Sequence, residues 1–594
     1  MINSETTQRS YSLEYIKKQS IEELITIASD LRAIMVTSLL QSGGHLSSNL
    51  GSVELILAWH YVFDSPQDKL IFDVGHQCYV HKILTDRLDK FSQIRQLDGI
   101  SGFPRRQESE HDIVSTGHAS ASLGVAAGIV AGQEEKIRKK ERVTALVGDA
   151  GLTGGVAFEA LNDIGHRQLP VILLLNDNQM SITSGCGALH THLEGIDTQN
   201  NLFTNLGWSY IGVYDGHNLA ELIEVLTYAK TYDRPLVIHT KTQKGKGYLP
   251  AELDPIKYHG VAGSNQPVVE SLSYTQAFAN SLLSLAKEHS DVVAITAAMS
   301  TGTGISQLEA VMPHRCYDVG IAEQYAISFA SGLALSGKKP IVALYATFLQ
   351  RAIDQVIHDV VMQQISMVIT LDRAGLVAGD GESHQGIYDI ALLQSLPSIL
   401  FMAPASQSEL ESMLFWAMQQ CTLVVIRFPK AHFVINDNFL SHKLSPITVG
   451  CGEYWYHDDR SVEILIVSLG AMTEQAMLAL PLLEELGIRV HIYHSRFITP
   501  IDESHWMDIL ARYRAVLTIE EGVLSGGWGV NFAARFSLLL PKVSFHQLGV
   551  RTSFLPQATR EELLRIAELD ATAICSTVTT ITEELLHQDR MNSV

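Results

Sequence analysis

The sequence is poor in cysteine and in charged residues, and each shortage excludes a class of protein. Its six cysteines are scattered over 594 residues without a Cys-x-x-Cys pair. This usage is typical of a reduced compartment and excludes a disulfide-built scaffold. Charged residues make up 18% of the chain and hydrophobic residues 46%, which excludes a disordered protein. So much apolar surface also predicts an oligomer.

The chain also lacks an excess of positive charge and any long hydrophobic run. Its 43 basic and 64 acidic residues give a net charge of −21. This sign argues against nucleic acid and anionic membranes as partners, although a locally basic site can still bind a small anion. No apolar run reaches the ~18 residues of a membrane helix, and the N-terminal stretch lacks the apolar core of a signal peptide. We therefore expect a cytoplasmic protein.

Short apolar runs alternate with helical stretches along the whole chain. This alternation predicts three consecutive α/β domains with mostly parallel sheets. Two stretches of low pattern, 260–274 and roughly 430–455, separate the blocks. The predicted domains are 1–265, 271–435 and 450–594. In the first, the predicted strands are KLIFDVG (69–75), VTALVGD (143–149), VILLLND (171–177) and PLVIHTK (235–241).

The strongest local signal is a carboxylate and an amide that follow two of these strands. Asp149 ends one predicted strand, and Asn178 follows the next one, 29 residues later. Ligands of open α/β sheets lie beyond the carboxyl ends of the strands. Carboxylate and amide oxygens suit Mg²⁺, which completes its octahedron with diphosphate oxygens and water. Asp and Asn are also common in ordinary turns, so the pair alone leaves a structural role open.

Further stretches carry a more specific resemblance. They are SGGHLSSNLGSVEL (42–55), DVGHQCYVHKILT (73–85), STGHASASLG (115–124), NDNQMSI (176–182), KGKGYLPAELDPIKYHG (244–260), IAEQYA (321–326), YATFLQRAIDQVIHD (345–359), LDRAGLVAGDGESHQG (371–386) and RFPK (427–430). From about residue 10 to 585 the chain resembles the 1-deoxy-D-xylulose-5-phosphate synthases, which depend on thiamine diphosphate and have a transketolase-like fold. The resemblance implies a diphosphate- and Mg-binding first domain, a pyrimidine-binding second domain, a transketolase-like third domain and a homodimer.

The resemblance also implies a role for individual residues at the coenzyme. Asp149, Asn178 and the Met180 carbonyl would hold Mg²⁺. Glu323 would hydrogen-bond the pyrimidine nitrogen N1′ and so promote loss of the thiazolium C2 proton, while Phe348 would stack on the pyrimidine. The other residues expected to bind the coenzyme are His76, Gly117, His118, Ala119, Ala150, Gly151 and Tyr248.

A second set of residues is implied at the substrates. The expected catalytic groups besides Glu323 are His45, His259, His384 and Arg373, since an imidazole near pKa 6.5 can pass protons at neutral pH. The expected substrate-binding residues are Tyr345, Arg351, Arg373, Asp380, His384 and Lys430. Each histidine alone would more often be structural, and Tyr345 would also suit a core. The run HQCYVH (76–81) lacks the second ligand pair that a zinc site would need.

The implied reaction condenses pyruvate with glyceraldehyde 3-phosphate to 1-deoxy-D-xylulose 5-phosphate and CO₂, and its product feeds isoprenoid, thiamine and pyridoxal synthesis. Two alternatives stay open. One is a related carboligase or transketolase with a different donor or aldehyde acceptor. The other is a non-catalytic paralogue that binds only the cofactor or a partner.

Four departures from the family pattern bear on these alternatives. Ala150 stands where the motif has Gly, and a positive φ there would cost Ala about 1 kcal/mol. Tyr325 stands where the family usually has His. Lys430 stands where it usually has Arg, which keeps the charge but loses the bidentate fork. The segment after residue 183 is shorter than is usual for the family.

Overall fold

The computed structural model describes residues 11–180, 187–264, 272–432, 444–458, 461–551 and 554–592. Three sheets with helices between and around their strands confirm the expected α/β class. The chain divides into two compact units. Unit 1 takes the described part of Met1–Val268 together with Gly320–Ala322 and Gly379–Ser383, and unit 2 takes the rest. No helix of the described residues is long and apolar enough to cross a membrane.

Unit 1 is built on a five-stranded parallel sheet with the order β1-β2-β3-β5-β4. Its strands are β1 (Lys69–Phe72), β2 (Val143–Gly148), β3 (Val171–Asp177), β4 (Ser209–Asp215) and β5 (Leu236–Lys241). Every residue of β3 is buried, as is usual for a parallel strand covered on both faces. The four predicted apolar runs each contain one of these strands. Because all five strands run parallel, their carboxyl ends lie along one edge of the sheet.

Helices cover this sheet. The longest is Ile21–Ser42, and Ser20 is its N-cap residue. The Ser20 and Glu23 side chains bond each other's backbone N–H groups and so form a capping box. The helices of unit 1 are Leu13–Ile16, Ile21–Ser42, Leu46–Gly51, Val53–Val62, Tyr79–Lys82, Ser122–Gly132, Glu135–Arg138, Gly155–Arg167, Ala188–Glu194, Leu202–Asn205, Leu219–Thr231 and Leu249–Leu253.

Unit 2 contains a seven-stranded sheet with the order β15-β10-β11-β9-β8-β6-β7. Its strands are β6 (Val292–Thr296), β7 (Cys316–Asp318), β8 (Lys339–Tyr345), β9 (Met367–Asp372), β10 (Leu400–Met402), β11 (Leu423–Arg427) and β15 (Phe497–Thr499). Only β15 is antiparallel to its neighbour. The helices that accompany this sheet are Tyr274–Glu288, Ser306–Glu309, Glu323–Leu335, Ala346–Leu349, Ile353–Gln355, Asp389–Leu393 and Gln407–Ala417.

A second sheet of unit 2 has five strands in the order β12-β14-β13-β16-β17. They are β12 (Glu453–Tyr456), β13 (Ile464–Ser468), β14 (Val490–His494), β16 (Ala515–Val523) and β17 (Ser544–Val550). Its helices are Met472–Glu485, Glu503–Leu510, Trp528–Ser537, Arg560–Ile566 and Ala571–Asn592. The connection from β14 leads into β15, which pairs with β10 of the seven-stranded sheet. The last third of the chain therefore supplies an edge strand to the middle third, a link that hydropathy does not reveal.

A buried ion cluster reinforces this link within unit 2. Arg496, only 1% exposed, donates to Glu409 Oε1 at 2.6 Å and to Glu453 Oε1 at 2.5 Å. The His494 Nε2 atom lies 3.0 Å from Glu409 Oε2. Burial opposes ionisation of Glu409, but His494 and Arg496 outweigh it and hold the pKa of this carboxyl at about 2. The charges thus stabilise the fold only as a complete set.

Replacing Arg496 with Met should therefore destabilise unit 2 strongly. The change removes the cation that Glu409 and Glu453 share and leaves Glu409 with His494 alone, a loss of about 3–5 kcal/mol in the free energy of unfolding. Urea unfolding followed by circular dichroism measures it. In the wild type, the stability contributed by Glu409 should be complete above its unfolded pKa near 4.5 and decline as the pH falls toward 2. The control is Arg514→Met, which breaks exposed pairs with Glu463 and Asp589; equal losses in both variants would contradict the prediction.

Candidate active site

The loops at the carboxyl edge of the unit 1 sheet carry most of the predicted coenzyme residues. His76 follows β1, the segment Asp149–Gly151 follows β2, and Asn178 follows β3. Gly148 of β2 pairs in register with Asn176 of β3, so Asp149 and Asn178 extend two adjacent strand ends. The strand order therefore places the predicted metal ligands side by side.

The Asp149 carboxylate is buried, and no donor among the described residues satisfies its Oδ1 atom. Burial, reinforced by the charge of Asp177, raises its pKa to about 7. Burial also lowers the pKa of Lys244 to about 8, against the attraction of Asp149. A buried oxygen without a partner is costly, and a cation is the partner that a carboxylate favours most. The donor set at Asp149 therefore fits a bound metal ion.

The residues at this edge suit a hard cation that takes some of its ligands from the protein and the rest from a second bound group. Within the described residues, no cluster of three or more His, Cys, Asp or Glu side chains could enclose a metal ion by itself. The Asn178 Oδ1 atom accepts a hydrogen bond from the Met180 amide at 3.1 Å, which shapes the turn that follows β3. An incomplete protein ligand set of this kind suits Mg²⁺ bound jointly with phosphate oxygens.

Ala150 causes no backbone strain, which answers the first departure from the family pattern. It lies in the 3₁₀ turn Asp149–Thr153, and its φ is not positive. The requirement for glycine falls instead on Gly151, where a Cβ atom would lie 2.6 Å from Asp73 Oδ1. Ala is therefore tolerated at position 150 at no conformational cost.

Two residues that the sequence analysis missed tie three of the edge loops together. Asp73 accepts hydrogen bonds from the Ser120 amide at 2.8 Å and from the Ser122 hydroxyl at 2.8 Å. The Ser120 hydroxyl donates to the Gly151 carbonyl at 2.8 Å. The segment Gly117–Ala119 is thereby held against the loops after β1 and β2. The position of Asp73, directly after an apolar strand, was the sequence signal that could have revealed it.

Three predicted histidines come together in unit 1. The ring centroid of His45 lies 5.6 Å from that of His76 and 5.6 Å from that of His259, and the last two are 5.5 Å apart. Buried Asn49 donates to the backbone carbonyls of His45 at 2.7 Å and His76 at 2.6 Å. Burial, with the nearby charge of Lys244, lowers the pKa of His259 well below its usual value. The His259 ring is therefore harder to protonate than an exposed histidine.

His81, at the end of the HQCYVH run, belongs to a separate structural cluster. Its Nδ1 atom lies 2.9 Å from His60 Nε2, and its Nε2 atom lies 2.9 Å from Asp112 Oδ1. Arg87 donates to both oxygens of Asp112, at 2.7 and 2.9 Å. Both ring nitrogens of His81 thus have protein partners, and the expectation that the run is not a zinc site stays a prediction.

The short segment Gly379–Ser383, which belongs to unit 1, contains one of the predicted substrate residues. Asp380 Oδ1 accepts a hydrogen bond from Arg95 Nη1 at 2.6 Å, and both side chains are mostly buried. The His118 Nε2 atom lies 2.9 Å from the Ser383 carbonyl oxygen. The family resemblance implies that Asp380 contacts substrate hydroxyls, but no sequence pattern reveals its partner Arg95, which lies 285 residues away in the chain.

In unit 2, Glu323 opens the helix Glu323–Leu335 at the end of the loop after β7, and it is 1% exposed. Burial raises its pKa, and the charge of Arg351 opposes this rise. The Arg351 Nη1 atom donates to Glu323 Oε2 at 3.2 Å. Arg351 was expected at the substrate, and here it contacts the predicted catalytic acid.

An aromatic cluster stands at the ends of β8 and β9 in the same unit. The Tyr345 and Phe348 rings stack with centroids 5.6 Å apart, and the His384 ring meets Phe348 edge-on at 5.6 Å. The Arg373 guanidinium lies 3.5 Å above the centre of the Tyr345 ring, a cation–π contact. Four of the predicted residues in unit 2 thus form one contiguous group.

Two of the departing residues, Tyr325 and Lys430, are exposed. Lys430 follows β11, and Tyr325 is 55% exposed and contacts Phe329 with ring centroids 5.5 Å apart. The shortened segment after residue 183 begins at residues that lie outside the described part of the chain. Its described part contains the helices Ala188–Glu194 and Leu202–Asn205, which precede β4.

Comparison with known proteins adds an independent result. The family model of 1-deoxy-D-xylulose-5-phosphate synthase matches residues 8–202 and 195–242, and models of the transketolase pyrimidine-binding and C-terminal domains match residues 270–434 and 453–574. Among solved structures, a transketolase from Leishmania mexicana covers 95% of this chain and 98% of its own, with 17% identity and a TM-score of 0.46.

Curated relatives match over almost the full length. Those named 1-deoxy-D-xylulose-5-phosphate synthase include proteins from Treponema pallidum (39% identical, covering 94% of this chain and 96% of the relative) and Halothermothrix orenii (38% identical, 96% and 97%). A relative of the same name from Alkaliphilus oremlandii is 40% identical and covers 87% of this chain and 90% of its own length. The chain therefore belongs to the 1-deoxy-D-xylulose-5-phosphate synthase family, and this membership implies a dependence on thiamine diphosphate.

Proposed function

We propose that this protein condenses pyruvate with D-glyceraldehyde 3-phosphate to form 1-deoxy-D-xylulose 5-phosphate and CO₂, with thiamine diphosphate and Mg²⁺ as cofactors. One observation carries the proposal. In a chain of this family, a buried carboxylate oxygen of Asp149 lacks a donor among the described residues, at a strand end adjacent to Asn178. A metal-bound diphosphate is the group that this arrangement would stabilise.

Unit 1 would bind the charged end of the coenzyme. Mg²⁺ would be held by Asp149, Asn178 and the carbonyl oxygen of Met180. The loops that Asp73 and Ser120 tie together would present small residues and backbone N–H groups to the diphosphate. The residues proposed to line this end are His76, Gly117, His118, Ala119, Ala150, Gly151 and Tyr248. The bound coenzyme supplies a nucleophilic carbon and an acceptor for the electrons that decarboxylation releases.

Unit 2 would bind the pyrimidine end. The pKa of Glu323 is raised by burial, so its carboxyl holds a proton more readily than an exposed glutamate does and can share it with a ring nitrogen. Phe348 offers a flat apolar ring for the pyrimidine, and Arg351, three residues later, limits how far the pKa of Glu323 rises. The protein would thus control the protonation of the pyrimidine through one buried acid.

The remaining predicted residues would serve the substrates. His45, His76 and His259 lie close together and would serve proton transfer as a group, although burial makes His259 itself hard to protonate. The cationic groups of Arg373 and Lys430 would attract the phosphate of the aldehyde. Tyr345, Arg351, Asp380 and His384 complete the proposed substrate residues. The expected cytoplasmic location stays a prediction.

Product identification tests the proposal most broadly. The protein is incubated with pyruvate, thiamine diphosphate, Mg²⁺ and a panel of phosphorylated and unphosphorylated aldehydes, and products are assigned by mass spectrometry and NMR. We expect 1-deoxy-D-xylulose 5-phosphate from glyceraldehyde 3-phosphate as the main product. Lys430 offers a single point charge, whereas the bidentate fork of an arginine would be more selective. A dominant product from another aldehyde would therefore support a carboligase with a different acceptor. Absence of any pyruvate consumption would contradict both and would favour a transketolase-like enzyme with a different donor.

Replacement of Glu323 tests its role. Glu323→Ala should lower kcat by about 10²–10⁴-fold because the proton contact is lost, while the affinity for thiamine diphosphate changes little. Steady-state kinetics and calorimetry measure the two effects. The matched control is Glu288→Gln, at the exposed end of the helix Tyr274–Glu288, which should behave as wild type. Full turnover by Glu323→Ala would refute the assigned role.

Arg351→Met should raise the pKa of Glu323 further, because it removes the positive charge that opposes the effect of burial. A raised pKa lets the carboxyl keep its proton to higher pH. If this proton supports turnover, the alkaline limb of the pH profile of kcat should move to higher pH when both substrates are saturating. A limb that stays in place, or moves to lower pH, would contradict this coupling.

We also propose that the protein is a homodimer. Unit 1 exposes Val156 and Phe158 on the helix Gly155–Arg167, at 44% and 50%, and this helix packs beside Ser122–Gly132, which exposes Val125. A second copy of the chain is the occupant that would bury such a face. Light scattering should show a dimer whose mass does not depend on concentration, and Phe158→Glu should weaken it. The control is Leu538→Glu, which places a charge at a side chain that is 88% exposed elsewhere; a fully active wild-type monomer would contradict the proposal.

A further inference from the structure

The end of β16, in the last third of the chain, contacts the loop that carries His384. Glu521 is 3% exposed, and its Oε1 atom accepts a hydrogen bond from the Leu376 amide at 2.7 Å. Arg560 donates from Nη2 to Glu521 Oε2 at 2.8 Å and from Nη1 to the Leu376 carbonyl at 2.9 Å. The Glu521–Arg560 pair therefore holds both backbone polar groups of Leu376.

The same strand end also holds the far side of this loop. The Val523 amide donates to the Ile387 carbonyl at 3.1 Å. Gly375 and Gly386 bond each other's backbone in both directions, at 2.7 and 2.8 Å, and so close the base of the loop. Glu521 and Val523 thus bond to the two chain segments that meet at the base of this loop.

Close packing leaves little freedom at this contact. Gly375 has a φ of +84°, and a Cβ atom there would collide with the Glu521 carboxylate. Arg427 donates to Asp389 Oδ2 at 2.7 Å and to the Glu521 carbonyl at 3.0 Å, which joins the chain just after the loop to the backbone of Glu521. The carboxylate of Glu521 therefore lies directly against the loop backbone, and its own backbone is held in place.

Two proposed substrate residues flank this base. Arg373 lies two residues before Gly375, and its guanidinium stands over the Tyr345 ring. His384 lies two residues before Gly386, and its ring contacts Phe348. Neither Glu521 nor Arg560 has a contact with these four side chains among those described. Their influence would act through the backbone from Leu376 to Gly386.

We infer that Glu521 and Arg560 are positioning residues for the aldehyde acceptor: the last third of the chain sets the placement of Arg373 and His384 through the base of this loop. The inference rests on the proposed function, in which those two residues bind the acceptor. It gives the second sheet of unit 2, which contains β16, a role in substrate recognition as well as in packing. A shift of about 1 Å in groups that orient a substrate can cost about 10²-fold in rate.

Kinetics of Glu521→Gln and Arg560→Met test the inference. Glu521→Gln keeps the shape of the side chain and removes the charge that pairs with Arg560. We expect each variant to raise the KM for the aldehyde about tenfold, while the apparent affinity for thiamine diphosphate and the KM for pyruvate stay within about twofold of wild type. The double variant should be little worse than either single one, because both break the same contact. Arg560→Lys should recover part of the loss, since it keeps the charge.

Hydrogen exchange gives a readout that does not depend on activity. Amide exchange across residues 375–387 should accelerate in Glu521→Gln, while exchange in β13 and β14 stays unchanged. The matched control is Glu503→Gln in the same part of the chain, where Glu503 pairs with Arg535 on the surface; it should alter neither the kinetics nor the exchange.

Three outcomes would overturn the inference. They are an unchanged aldehyde KM in both single variants, unchanged exchange in 375–387, or an equal loss in every kinetic constant together with a lowered melting temperature, which would indicate a purely structural contact. An inactive wild type would be a different result. It would contradict the proposed function, whereas faster exchange confined to 375–387 would still show that Glu521 fixes this loop.

Discussion

The buried carboxylate of Asp149 is the constraint on which the account of this protein depends. Its Oδ1 atom has no donor among the described residues, and burial raises its pKa to about 7. A folded chain tolerates such a group only where a cation or another partner completes it. The parallel order of the unit 1 sheet explains why it lies where it does: β2 and β3 end together, so the same edge receives Asn178. Asp73 and Ser120 then hold the neighbouring loops against this edge.

Two buried carboxylates of unit 2, Glu409 and Glu323, show how cationic partners change the effect of burial. Arg496 and His494 hold Glu409 ionised, whereas Glu323 has a pKa raised by burial and only one opposing cation, Arg351. The first arrangement suits a structural role, since the charge is permanent and fully paired. The second suits an acid that keeps or shares a proton more readily than an exposed glutamate does. Two buried glutamates thus differ in chemistry because their neighbours differ in number and in charge.

Sequence patterns predicted the parts of the molecule that depend on local information. Apolar runs located the strands, and the spacing between Asp149 and Asn178 located the edge of the unit 1 sheet at which they meet. Long-range contacts escaped prediction because no local pattern encodes them. Arg95 lies 285 residues from Asp380, and Glu521 lies 145 residues from Leu376. The pairing of β15 with the seven-stranded sheet and the contact between Arg351 and Glu323 belong to the same class. The predicted domain boundaries and residue roles remain predictions.

Calorimetric titration of thiamine diphosphate tests the central claim about Asp149 most directly. The coenzyme is titrated into wild type and Asp149→Asn, each with and without Mg²⁺, with Asp163→Asn as the control because Asp163 pairs with Arg167 on the surface. The account predicts Mg²⁺-dependent binding to wild type and to the control, and binding to Asp149→Asn that is weakened at least about tenfold and hardly responds to Mg²⁺. Wild-type binding that ignores Mg²⁺, or Asp149→Asn that binds as wild type does, would contradict it.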